Sequence, residues 1–153
     1  ESAGDADQHW FVQYGFTHWP DARPTHLTGS QMLGIGELND LMASVDVVIT
    51  HGGPGLIMEA RAARQVPIVI PRDPALGEHV DGHQMDFCAR LRDEGSIIRA
   101  TSLDGLREAI RGTLERGRPE SAGAGHSSET VTRFAALVEE SRTRPRKSLL
   151  RRR

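Results

Sequence analysis

The sequence is sparing in several ways, and each scarcity excludes something. It has one cysteine, Cys88. That excludes a disulfide framework within the chain and points to a reducing compartment. The plain reading of Cys88 is a reduced residue on a helix. No run approaches the roughly 20 apolar residues of a membrane-spanning helix. No charged-then-apolar signal segment stands in the opening residues. Lysine is almost missing: of 19 Lys and Arg, Lys147 is the one lysine. G-x-G-x-x-G, Walker A, H-E-x-x-H and G-x-S-x-G are all absent, which disfavours a dinucleotide fold, a P-loop enzyme, a zincin and a serine hydrolase. What remains is ordinary: 153 residues, 37% hydrophobic, 16 Gly and net charge −2. One domain is expected from that length.

The charge is unevenly placed. Residues 141–153, SRTRPRKSLLRRR, carry seven basic side chains and no acid. Removing those seven charges from the net −2 leaves −9 on residues 1–140. An acidic body is a poor nucleic-acid binder, so the tail is a separate basic element, either a solvated tail or a contact to anionic lipid headgroups. The expected location is the cytoplasm, with possible peripheral contact at the inner face of the membrane through this tail.

Strand and helix signals alternate. HWFVQYGFT (9–17) reads as a strand running into a glycine, and WPDARP (19–24) as a turn held by two prolines. THLTG allows a short extended piece. Ile35–Ser44 has helical spacing at Leu38, Leu41 and Met42. DVVIT (46–50) and VPIVI (66–70) are continuous apolar runs, as in strands buried on both faces. Leu56–Arg64 reads as a helix, a further helix runs from about Asp81 to Asp93 with Gly95 to cap it, and Ser96–Arg99 is a third short strand. Thr101 or Ser102 can cap a helix carrying Leu106, Ile110 and Leu114. The domain plan is a partial Rossmann-like α/β unit over 1–117, a Gly/Ser-rich linker over 118–130, and a short helix (131–140) with the basic tail over 131–153. The alternation means an α/β domain with a parallel sheet, whose ligands sit at the carboxyl ends of the strands.

Two segments fall at that edge. In ITHGGPGLIMEA (49–60) a buried strand ends, a Gly-rich turn follows and a helix begins. Free backbone N–H groups and the positive helix end favour an anion there. His51 adds a donor, Gly52, Gly53 and Gly55 allow close approach, and Glu59 can accept from two ribose hydroxyls. The alternative is a tight αβ turn with a surface glutamate. In GEHVDGHQMD (77–86), His83 and Gln84 open the next helix and can bind sugar hydroxyls. His79 and His83 with Glu78 and Asp81 form a competing metal reading, weakened by Gly82 between them; a solvated loop is the third. His9, His18, His26 and His126 read as solvated.

The stretch DVVITHGGPGLIMEARAARQVPIVIPRDPALGEHVDGHQ (46–84) resembles the C-terminal, donor-binding domain of glycosyltransferase family 28. It is most similar to single-domain members: the catalytic subunit of the dolichol-linked N-acetylglucosaminyltransferase and bacterial exopolysaccharide subunits. The match is specific over about 35–115, weak over 9–34 and absent beyond 118. The resemblance implies one half of a GT-B enzyme, a Rossmann-like parallel sheet with helices on both faces. It implies a UDP-sugar donor as substrate, no cofactor and no metal. The diphosphate maps to His51, Gly52, Gly53 and Gly55, the ribose to Glu59, sugar hydroxyls to His83 and Gln84, and uracil, more weakly, to Ile35. The implied function is metal-independent transfer of a hexosyl group to a lipid-linked or polysaccharide acceptor, with a partner subunit supplying the acceptor domain. No residue of the sequence stands out as the catalytic base. The alternative is a non-catalytic nucleotide-sugar-binding subunit supporting a partner transferase; a nucleotide-sugar 2-epimerase needs both halves in one chain.

Two departures from the family stand out. Many relatives have Ser or Thr where this chain has Leu56, and that hydroxyl contacts phosphate. Relatives also carry a strand, a Gly-containing turn and a helix before the segment matching 9–17. In the order 3-2-1-4-5-6 that strand is central, so the expectation is a truncated domain of low stability alone.

Overall fold

A computed structural model of the chain describes residues 8–73, 77, 83–118 and 136. The order of elements is β1 (Trp10–Gln13), β2 (Leu27–Ser30), α1 (Ile35–Ser44), β3 (Ile49–His51), α2 (Pro54–Ala62), β4 (Ile68–Ile70), α3 (His83–Asp93), β5 (Ile98–Arg99) and α4 (Leu103–Arg116). The expected linker, the C-terminal helix and the basic tail lie outside the described residues, apart from Arg118 and the helical Ala136.

The chain divides into two compact units, Glu1–Leu41 and Met42–Arg153. In the first, β1 and β2 pair in parallel with Trp10 opposite Leu27. The strand expected over 9–17 covers only Trp10–Gln13. Gly15, at φ 57°, and a turn in which Thr17 N–H donates to the Tyr14 carbonyl at 2.9 Å end it early. The rings of Tyr14 and Trp19 then stack at 4.7 Å. Trp19 lies against Gly29, where a Cβ would be 2.8 Å from its ring and 2.5 Å from the Val12 carbonyl. That close approach explains a glycine inside a strand. The Gly34 N–H donates to Glu37 Oε2 at 2.9 Å, a side-chain cap at the start of α1.

In the second unit, β3, β4 and β5 form a parallel sheet in that order, with His51 opposite Ile70 and Val69 opposite Arg99. Ile68 and Val69 are neighbours on β4 and both are fully buried. Alternation along a strand puts them on opposite faces, so β4 is covered on both, as its unbroken apolar run requires. Val69 joins Ile57 of α2, Phe87, Cys88 and Leu91 of α3, and Ile97 in one core. Among the described residues the strands thus form one two-stranded and one three-stranded parallel sheet.

Helix ends follow local chemistry. α2 begins two residues before the expected Leu56, because Pro54 at its first position has a fitting φ and no N–H to strand. It ends with Arg64 N–H donating to the Arg61 carbonyl and Gln65 N–H to the Ala60 carbonyl, Arg64 holding φ 62°. That is a Schellman closure on a residue other than glycine. The same closure ends α3 with the glycine expected there: Gly95 at φ 69°, Gly95 N–H to Arg92 and Ser96 N–H to Leu91. Ser102, rather than Thr101, caps α4, its Oγ accepting from Gly105 N–H at 3.1 Å. Gln65 is buried, and its Nε2 donates to the carbonyls of Met42 and Val45, satisfying acceptors at the end of α1.

Candidate functional site

The β3 strand delivers His51 to the carboxyl edge of the sheet, and the chain then turns through Gly52 and Gly53 into α2. The two glycines of the turn are there for packing. A Cβ on Gly52 would stand 2.8 Å from Cys88 Sγ and 3.0 Å from Gln84 Oε1. A Cβ on Gly53 would run into the His51 ring, 2.9 Å from its Nδ1. Gly55, by contrast, meets nothing within 4 Å and is exposed. It alone of the three faces open space.

The His51 ring folds back over this turn. Its Nδ1 accepts the Gly53 N–H at 2.9 Å. An accepting Nδ1 carries no proton, so the neutral ring bears its hydrogen on Nε2. Partial burial and, secondarily, the positive charge of Arg72 hold the His51 pKa below its ordinary value, favouring the same neutral form.

The donors at the start of α2 can now be assigned. Gly53 is the cap residue, and its N–H is taken by His51. Pro54 has no N–H. Ile57 N–H donates to the Gly53 carbonyl at 3.3 Å. Gly55 and Leu56 therefore hold the amides without an intrahelical partner, at the positive end of the helix. Thr50 Oγ1, one residue before His51, is buried with no hydrogen-bond partner among the described residues.

From β4 the chain passes through buried Pro71 to exposed Arg72. The Arg72 N–H donates to Gln84 Oε1 at 3.3 Å, so the oxygen that closes on Gly52 also holds the next loop. Gln84 thus ties α3 to both loops of the edge. Cys88, one turn further along α3, is fully buried, and burial pushes its thiol up to about 11 against the opposing charge of Arg99. It is inert packing rather than a nucleophile. Arg99 brings Nη2 to 3.8 Å from Met85 Sδ, and its Nε is buried without a partner among the described residues.

Glu59 stands one helical turn past Gly55, half-buried. Side chains on a helix lean toward its N-terminus, which directs Glu59 toward the same mouth. His83 begins α3, and its side chain lies outside the described residues, as do Glu78, His79 and Asp81. Among the described residues no group of three His, Cys, Asp or Glu is placed to hold a metal ion. Ile35 opens α1 in the first unit and is 77% exposed. A depression of about 580 Å³ in that unit, lined by Trp19, Asp21, Arg23 and Leu27, contains none of the expected site residues. Among the described residues no helix is long and apolar enough to cross a membrane.

The structure thus places His51, the three glycines and Gln84 at one edge of the sheet, and brings Arg72, which the sequence did not single out, to the same edge. The signal was available: a cation just past the VPIVI strand, at the edge already singled out.

No curated protein and no solved structure matches the chain. The family model of the glycosyltransferase family 28 C-terminal domain matches residues 6–138. The match reaches further at both ends than the stretch whose motifs carry the resemblance, and it continues past residue 118, where none was read. It takes in both described sheets and the Gly-rich turn, so the chain belongs to the glycosyltransferase family 28 C-terminal domain family.

Proposed function

We propose that the carboxyl edge of the β3-β4-β5 sheet binds the diphosphate of a UDP-sugar, and that the chain is the donor-binding part of a metal-independent hexosyltransferase. One observation carries this reading. The His51 ring, its Nδ1 on the Gly53 N–H, lies at the cap of α2, and the first-turn amides of Gly55 and Leu56 have no partner among the described residues at that positive helix end. That donor set suits a doubly charged diphosphate and supplies fixed dipoles for it as a leaving group. Glu59, directed to the same mouth, takes the ribose hydroxyls. Gln84, with its oxygen engaged by Arg72 N–H, offers its amide NH₂ to the sugar, beside His83. The assignment of uracil to Ile35 rests on the resemblance alone.

The reaction is displacement at the anomeric carbon by an acceptor hydroxyl, with UDP leaving and the hydroxyl proton passing to a general base. A partner subunit brings the lipid-linked or polysaccharide acceptor together with that base. The basic tail is a candidate contact to anionic headgroups. A non-catalytic role beside a partner transferase is the second reading, and Leu56 in the first turn of α2 favours it, since a leucine has no hydroxyl to give a phosphate.

Calorimetric titration of UDP into the protein and into Glu59→Ala tests the proposal. Saturable binding by the wild type, weakened at least tenfold in the variant and unchanged by EDTA, is expected. Absence of UDP binding to the wild type rejects the donor site. Transfer from a UDP-hexose when the partner chain is added separates the enzyme from the supporting subunit.

A further inference from the structure

The Gly turn supplies dipoles but no full charge. A nucleoside diphosphate carries at least two negative charges, and the aliphatic side chain of Leu56 offers them no hydrogen bond. Among the described residues, a cation on this edge comes from the start of the loop after β4. His51 and Ile70 are paired residues at the ends of adjacent parallel strands. Arg72 lies two residues beyond Ile70 and is exposed. Its position is pinned: its N–H donates to Gln84 Oε1 at 3.3 Å, and that same oxygen lies 3.0 Å from the site of a Cβ on Gly52. The backbone of Arg72 and the backbone of the Gly turn therefore flank a single oxygen atom. An arginine side chain is long enough to cross from one loop to the mouth of the other. Its charge already reaches the His51 ring, which it disfavours in the protonated form.

We infer that Arg72 is a diphosphate-binding residue, its guanidinium closing over a nucleoside diphosphate held by Gly55 N–H, Leu56 N–H and His51 Nε2–H. The inference rests on the donor-site reading above. A guanidinium offers forked donors to two phosphate oxygens and stays charged at any working pH. Arg72 thereby supplies from the neighbouring loop the side-chain phosphate contact that the Leu56 side chain cannot make. It also explains why Gln84 holds the Arg72 backbone: the loop must stay beside the turn for the side chain to reach.

The test is titration of the full chain with UDP and, separately, with uridine, for wild type, Arg72→Gln and Arg72→Lys. Arg72 is exposed, so both variants are expected to fold, and their melting temperatures check this. The expected result is UDP binding weakened about tenfold in R72Q and less in R72K, with uridine binding unchanged. Added salt should weaken UDP binding more in the wild type than in R72Q, since screening acts on the charge removed. Equal UDP affinity for wild type and R72Q overturns the inference and leaves the donor site standing. Equal loss of UDP and uridine also overturns it, because a phosphate contact cannot act on uridine. Failure of the wild type to bind UDP overturns both.

Discussion

The Nδ1 of His51 accepts the N–H of Gly53, two residues on, at 2.9 Å. This short loop of chain decides which donors remain at the start of α2. It takes up the Gly53 amide and fixes the tautomer of the imidazole, while the first-turn amides of Gly55 and Leu56 have no partner among the described residues.

The His51 hydrogen bond has a pH signature. Burial first, and Arg72 second, lower its pKa from 6.5. Below pH 6.5 the unfolded chain takes up a proton that the folded protein resists. The contribution of His51 to stability is therefore complete above that pH and declines as pH falls through the window down to the lowered folded value. An NMR titration of the imidazole should give a midpoint under 6.5. Arg72→Gln should raise it, while burial, the larger cause, keeps it below the ordinary value. A midpoint unmoved by R72Q would place Arg72 away from the ring.

The glycines of the turn should separate by function. Gly52→Ala puts a methyl 2.8 Å from Cys88 Sγ and 3.0 Å from Gln84 Oε1. Overpacking of this kind costs about 1–3 kcal/mol, so the melting temperature should fall, and Cys88→Ala in the same chain should restore part of it. Gly55→Ala meets nothing within 4 Å and lies in the first turn of a helix. Its stability should be unchanged or slightly raised, while UDP affinity drops. Thermal melts and UDP titrations of the two variants, side by side, check the division.

Arg64 holds φ 62° at the end of α2, where Gly95 holds φ 69° at the end of α3. A side chain in that left-handed conformation costs roughly 1 kcal/mol against glycine. Arg64→Gly should therefore stabilise the fold by about 0.5–1 kcal/mol, read as a higher denaturant midpoint with the same slope. A lower midpoint would mean that Arg64 makes contacts worth more than the strain.

Cys88 should be silent while the protein is folded. It is fully buried, and its thiol is pushed up to about 11. Reaction with a disulfide reagent at about pH 8 should be slow in the native protein and immediate in denaturant, because only the thiolate reacts. Rapid native labelling would contradict the packing of Cys88 under Gly52.

Much of the fold was legible because its strands are apolar runs. DVVIT and VPIVI mark β3 and β4 to within a few residues, and the Gly-rich break between β3 and α2 marks the site. The end of α3 at Gly95 could be read from capping chemistry alone, which also narrowed the start of α4 to Thr101 or Ser102. The purpose of each glycine could not. Gly52 and Gly53 are required by the side chains of Cys88, Gln84 and His51, and Cys88 is 36 residues away from Gly52 in sequence. Nor could the closure of α2 on Arg64, since a left-handed arginine leaves no compositional mark. Arg72 did not stand out, because one arginine in a proline-containing loop has no periodicity; the parallel pairing of His51 with Ile70 brings the start of that loop to the same edge as the Gly turn.

In the proposed donor site a nucleoside diphosphate sits on the first-turn amides of α2. Titration of the ¹⁵N-labelled protein with UDP reads those amides directly. The expected result is saturable shifts of the Gly55 and Leu56 amide signals and of the His51 Nε2 resonance, with Gly53, whose N–H is already bonded to His51, moving least. Saturable UDP binding that leaves Gly55 and Leu56 unshifted, or no binding at all, would contradict it.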